Sequence, residues 1–169
     1  TPATGGDAIV CRLSIGNEAP DPTDETRTAY GPLQDGYYPI YWRNADRVGI
    51  ICPQTTPQWA EVEVSVSGAT ESEADLSDTG MQWGSSPSYD FYAFYPADAV
   101  QANSGSIVAT AIPAVQTYHN GECNMQYAYM AACTQGVERG AEVPFRFRPL
   151  MTTVTIQVGF SEAAEVQKL

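Results

Sequence analysis

Catalysis and metal binding need convergent ligands or nucleophiles, and this chain of 169 residues carries few. His119 is the only histidine, which excludes a multi-histidine zinc site within one copy. It stands in Tyr118-His119-Asn120-Gly121, a turn sequence, and reads as an exposed turn residue. The four cysteines are Cys11, Cys52, Cys123 and Cys133, with no Cys-x-x-Cys spacing. Cys123 and Cys133 are the tempting pair. A strand running from Met125 to Ala132 would hold their sulfurs roughly 30 Å apart, beyond bridging range. Free, half-buried thiols are the expectation. A nucleophile built from Cys123 and His119 has no third group to orient it.

The acids Glu71, Glu73, Asp75 and Asp78 lie close in sequence, yet lack the ligand order and central glycine of a calcium loop. A solvated acidic loop is expected. Two carboxylates for glycoside hydrolysis can be picked from any chain with 20 Asp and Glu, so their presence is no signal. Nucleophile-elbow, phosphate-loop and dinucleotide glycine patterns are absent. Trp42, Trp59 and Trp83, with ten tyrosines, are residue types that stack on sugars, and equally those that fill a β core. The reading is a non-enzymatic chain with no catalytic, cofactor-binding or metal-ligating residues.

A net charge of −12, with one lysine and seven arginines, disfavours clamping a nucleic-acid backbone or adhering to an anionic membrane. Hydrophobic content of 43% is enough for a core, and no apolar run approaches a membrane span. The first seven residues (TPATGGD) read as a flexible tether.

The elements that must position any site are short strands. Ala8 to Gly16 alternates, with Ile9, Cys11, Leu13 and Ile15 on one face and Val10, Arg12 and Ser14 on the other. Asn17 to Asp24 (NEAPDPTD) reads as an exposed linker, so the first strand is expected at a sheet edge on a cleavable tether. Short strands follow at Thr26–Tyr30, Tyr37–Trp42 and Arg47–Cys52. Glu61 to Ser67 places Val62, Val64 and Val66 inward, and Gly68 to Gly80 reads as an exposed acidic excursion. Tyr89 to Tyr95 has five aromatics in seven residues and breaks strict alternation, the mark of a strand covered on both faces or facing a partner. Ser106–Ile112 and Asn124–Thr134 come next. Then Val143, Phe145 and Phe147 alternate against Pro144, Arg146 and Arg148, and Leu150 to Val158 continues as a last strand. Only Ser161 to Leu169 is helix-permissive. The expected class is an all-β sandwich: one domain over 8–160, with 161–169 a tail or the start of a further domain.

Five segments, in order and spacing, resemble the N-terminal domain of the fimbrillin family, the subunits of Bacteroidales type V pili. They are Thr26-Arg27-Thr28; Trp42 with Asp46-Arg47-Val48-Gly49-Ile50; Tyr92-Ala93-Phe94-Tyr95-Pro96; Ile112-Pro113-Ala114-Val115-Gln116; and Phe145-Arg146-Phe147-Arg148-Pro149-Leu150-Met151 leading into Val154-Thr155-Ile156. The resemblance runs from about residue 8 to about residue 158. It implies a transthyretin-like antiparallel β-sandwich from an exported, lipidated precursor of a Gram-negative outer surface. It also implies other pilus subunits as partners and a role in adhesion, assembled by donor-strand exchange: a protease removes the first strand, and a segment of the next subunit fills the groove. Carried onto this chain, the polymerisation strand is Ala8 to Gly16, with Ile9, Cys11, Leu13 and Ile15 as plugs. The processing candidates are Arg12 and Arg27, with Arg27 favoured because it follows the acidic linker. Such chains usually carry a lipid-bearing cysteine upstream and a second sandwich downstream, so a trimmed fragment is expected here.

Strand exchange also has a physical basis. Removing such a strand exposes an apolar groove and unpaired backbone groups that another strand can satisfy. Burying its four apolar side chains contributes on the order of 6–10 kcal/mol before ordering costs. The alternative is a non-polymerising surface lipoprotein that binds carbohydrate or a host protein on the same sandwich. Saturable quenching of Trp fluorescence by a glycan separates the two.

Overall fold

The computed structural model describes residues 8–15, 29–30, 39–68, 71–76, 78–99, 101–103, 107–109, 111–112, 114–116 and 127–151. Among them the chain is all-β, with a short 3-10 turn at Ala97–Ala99. The strands are β1 (Cys11–Ile15), β2 (Ala29–Tyr30), β3 (Ile40–Tyr41), β4 (Arg47–Ile51), β5 (Trp59–Glu63), β6 (Glu73–Leu76), β7 (Tyr89–Tyr95), β8 (Gln101–Asn103), β9 (Ile107–Ala109), β10 (Met130–Val137) and β11 (Val143–Pro149). Seven of them form one sheet in the order β5-β4-β7-β10-β11-β1-β6, while β2 with β3 and β8 with β9 form two-stranded ribbons.

Two expectations are corrected here. The sheet is mixed rather than purely antiparallel, because β1 runs parallel to β11, with Cys11 opposite Val143 and Ile15 opposite Phe147. Nor is β1 an edge strand: its other side pairs antiparallel with β6, Cys11 opposite Leu76 and Ser14 opposite Glu73. The residues that displace it from the edge belong to the segment read as an exposed acidic excursion. Ala74 and Leu76 are buried while Glu73 and Asp75 face solvent, so the acids mark the outer face of an edge strand. Charged side chains on an edge deter pairing with other chains.

Other boundaries shift for visible reasons. The Val62–Val66 alternation begins as β5 at Trp59 and leaves the sheet after Glu63, with Val64 still buried and Val66 half-buried. The strand β10 starts at Met130, later than expected, and carries a bulge between Thr134 and Val137. Gly136 sits in that bulge at φ +72, a conformation that suits glycine, and its N–H donates to Asp90 Oδ1 at 2.9 Å. Arg27, His119, Cys123 and most of the stretches 150–158 and 161–169 lie outside the described residues.

One buried cluster takes side chains from every strand of the large sheet: Ala60, Val48, Ile50, Tyr89, Phe91, Ala93, Tyr95, Met130, Ala132, Phe145, Phe147, the four inward residues of the first segment, Ala74 and Leu76. Trp42 sits at its centre, edge-on to Tyr95 at 5.7 Å and to Phe147 at 5.2 Å. The sheet curls around this cluster. In a flat sheet β4 and β1 would lie about 19 Å apart, yet Gln82 pairs with both Ala8, just before β1, and Thr56, just after β4. The segment around Gln82 thereby closes one end.

Candidate functional site: the first strand in its slot

Alternation in the first segment sends every second side chain to the core. Ile9, Cys11 and Leu13 are fully buried and Ile15 is 4% exposed, whereas Val10 is 40% exposed on the opposite face. The backbone is held at both ends as well as along both sides. Ile9 N–H donates to Met81 O at 3.3 Å, Ile15 N–H to Ser72 O at 2.8 Å, and Val143 N–H to Val10 O at 3.0 Å. Thr79, itself buried, donates its hydroxyl to Ile9 O at 3.1 Å and accepts from Met81 N–H at 3.3 Å. These contacts make a slot with β11 as one wall, β6 as the other and the core as its floor.

Inside the slot, burial pushes the Cys11 thiol up to about 12, and Cys52 and Glu142 add repulsion to its thiolate. Burial likewise raises Cys52, whose thiol donates to Gln54 Oε1 at 3.2 Å. Both are inert core thiols; Cys133 is the exposed one among the described cysteines. Arg12 points outward and pairs with Asp75 of β6 at 3.2 Å, both side chains at least half exposed. The sequence reading missed the slot's β6 wall and its Thr79 clasp. The available signal was the alternation of Ala74 and Leu76 inside the acidic run. Among the described residues, no three of His, Cys, Asp and Glu group closely enough to hold a metal ion, and no helix is long and apolar enough to cross a membrane.

A family model described as fimbrillin-like matches residues 26–169, most of the chain. The chain belongs to the fimbrillin-like family. That is a family of structural pilus subunits rather than of enzymes, which places the chain at a cell-surface pilus in association with other subunits. No curated protein and no solved structure gives a match. The fimbrillin-like match opens at Thr26 and leaves β1 outside it. The slot walls β6 and β11, by contrast, lie within the matched region.

Proposed function

We propose that this chain is a pilus subunit that joins its neighbours by donor-strand exchange, with β1 as the strand that leaves. The observation carrying this reading is the mismatch between how β1 is buried and how it is connected. Its apolar side chains are as deeply placed as any in the core, yet it is joined to the rest of the chain through one acidic, proline-bearing linker. Departure of β1 would uncover two ladders at once, on β11 and on β6, together with an apolar floor. An incoming strand of alternating pattern would satisfy all three. Cutting at Arg12 requires the strand to open first, because its backbone is paired on both sides. Arg27 is therefore the processing site we favour.

In this reading the subunit is a lipoprotein-derived component of type V pili at a Gram-negative outer surface, contributing to adhesion. Residues 8–160 form its body, 1–7 a tether, and 161–169 a tail or the start of a further domain. Limited trypsin digestion followed by size-exclusion and mass spectrometry tests the assignment. Cleavage at Arg27 followed by ladders of oligomers supports it. A chain that stays monomeric after that cut, with β1 released or retained, overturns it.

A further inference from the structure

The face of the sheet turned away from the core carries a second feature, independent of the assembly route. Across this face the register sets Glu61, Gly49, Phe94, Ala131 and Arg148 in one row. A neighbouring row runs Trp59, Ile51, Tyr92 and Cys133. The small residues Ala131 and Cys133 of β10 thus lie between aromatic rings on β7 and the arginines of β11. The result is a trough of about 680 Å3 along β10, lined by Ile51, Tyr92, Phe94, Cys133, Arg146 and Arg148 among others. Its walls stand two strand spacings apart, about 10 Å.

The two walls differ in chemistry. Tyr92 is 39% exposed, and its hydroxyl accepts from Gln135 Nε2 at 3.3 Å. Phe94 below it is fixed by stacking on Trp59, ring centroids 5.1 Å apart. On the other wall Arg146 and Arg148 are exposed. Arg12 and Arg47 each have an ion-pair partner, whereas Arg146 and Arg148 have none among the described residues. Two uncommitted guanidiniums on one wall of a chain of charge −12 are a local exception to its overall acidity.

We propose that this trough binds a pyranose sugar bearing a carboxylate, of the uronic or sialic acid type. One ring face lies on Tyr92, the carboxylate is held by Arg146 and Arg148, and hydroxyls meet Gln135 and the Tyr92 hydroxyl. Aromatic stacking and forked guanidinium–carboxylate bonds are the interactions each wall is built to supply. A peptide suits the trough less well. The backbone of β10 is committed to β7 and to β11, so a peptide laid on this face finds no ladder to join.

The test is an NMR titration of the chain with sialyllactose, a glucuronate disaccharide and neutral lactose. A Glu-Val repeat peptide serves as the protein-like competitor. Shifts confined to Tyr92, Ala131, Cys133, Arg146 and Arg148 with one or both acidic sugars, and none with lactose, are expected. Which acidic sugar binds distinguishes a sialylated surface from a uronate polysaccharide. Joint Arg146→Gln and Arg148→Gln substitution should weaken binding by about tenfold or more, the loss of a charge-assisted pair. A second measurement leaves both arginines in place: in a Cys123→Ser background, a bulky maleimide on Cys133 fills the floor and abolishes binding. Equal binding of lactose, tighter binding of the peptide, shifts elsewhere, no shifts at millimolar sugar, or indifference to both modifications each overturns the proposal.

Discussion

Shortening Leu13 to alanine tests whether β1 and β6 open as one unit. Leu13 is fully buried and sits between Phe145 on one side and Ala74 on the other. Removing its isobutyl group from a packed site costs about 3 kcal/mol, the lower part of the range for such truncations. Among the described residues, β6 has β1 as its neighbour in the large sheet on one side and none on the other. Amides of β6 that donate into that ladder therefore lose protection whenever β1 leaves. Native-state hydrogen exchange reads this directly. In the parent chain, amides of β1 and β6 should exchange with one common free energy, below that of β7, whose neighbours β4 and β10 are themselves interior strands of the sheet. In Leu13→Ala both groups should fall together by about 3 kcal/mol, roughly a hundredfold in the opening constant. If β6 keeps its parent protection while β1 loses its own, β6 is anchored by something other than β1. The two-walled slot is then wrong.

Four further outcomes follow from the geometry. The Cys11 thiol is raised from 9.0 to about 12, so the folded chain holds its proton where the unfolded chain has lost it. Its contribution is complete below pH 9 and declines between pH 9 and 12, by about 1.4 kcal/mol at pH 10; unfolding free energies from urea titrations should fall by this amount between about pH 8 and pH 10 in the parent relative to Cys11→Ala. Gly49→Ala drives a Cβ to 2.6 Å from a Phe94 ring carbon and 2.7 Å from Trp59. It should lower stability by about 1–3 kcal/mol and alter Trp59 fluorescence; an unchanged melting temperature counts against the packing described. Tyr95→Phe removes the 2.9 Å bond donated to Asp46 Oδ1, a carboxylate that also accepts from Arg43 N–H at 2.7 Å. A loss of about 1–3 kcal/mol is expected by chemical denaturation. Arg12→Gln breaks only the exposed pair with Asp75 and should cost below about 0.5 kcal/mol in the same assay.

Period-two alternation carried most of what could be seen in advance. It marked the inward faces of Ile9 to Ile15 and of Val143 to Phe147 because each strand is solvated on its other side. The aromatic run at Tyr89 was legible as an interior strand for the opposite reason, since both of its faces carry large apolar groups. What stayed hidden depends on long-range pairing. Nothing in the local pattern says that Cys11 lies beside Val143 in parallel register, because a partner more than 130 residues away leaves no mark on either segment's periodicity. The edge strand β6 was obscured by composition: Glu73 and Asp75 outweigh Ala74 and Leu76 by eye, though only the latter two decide burial. The trough was equally invisible. Ala131 and Cys133 are unremarkable within an apolar run until the register sets them between Phe94 and Arg148 and beside Tyr92.

The double pairing of β1 has a mechanical consequence. A strand clipped to one neighbour at a sheet margin can be peeled, each rung bearing the load in turn. Here five register positions with β11 and four with β6 flank the same short strand. A pull directed along it loads both flanks in shear, and the rungs must fail together rather than in sequence. A fibre whose joints were built this way would resist traction along its length while remaining open to replacement of the strand from one end.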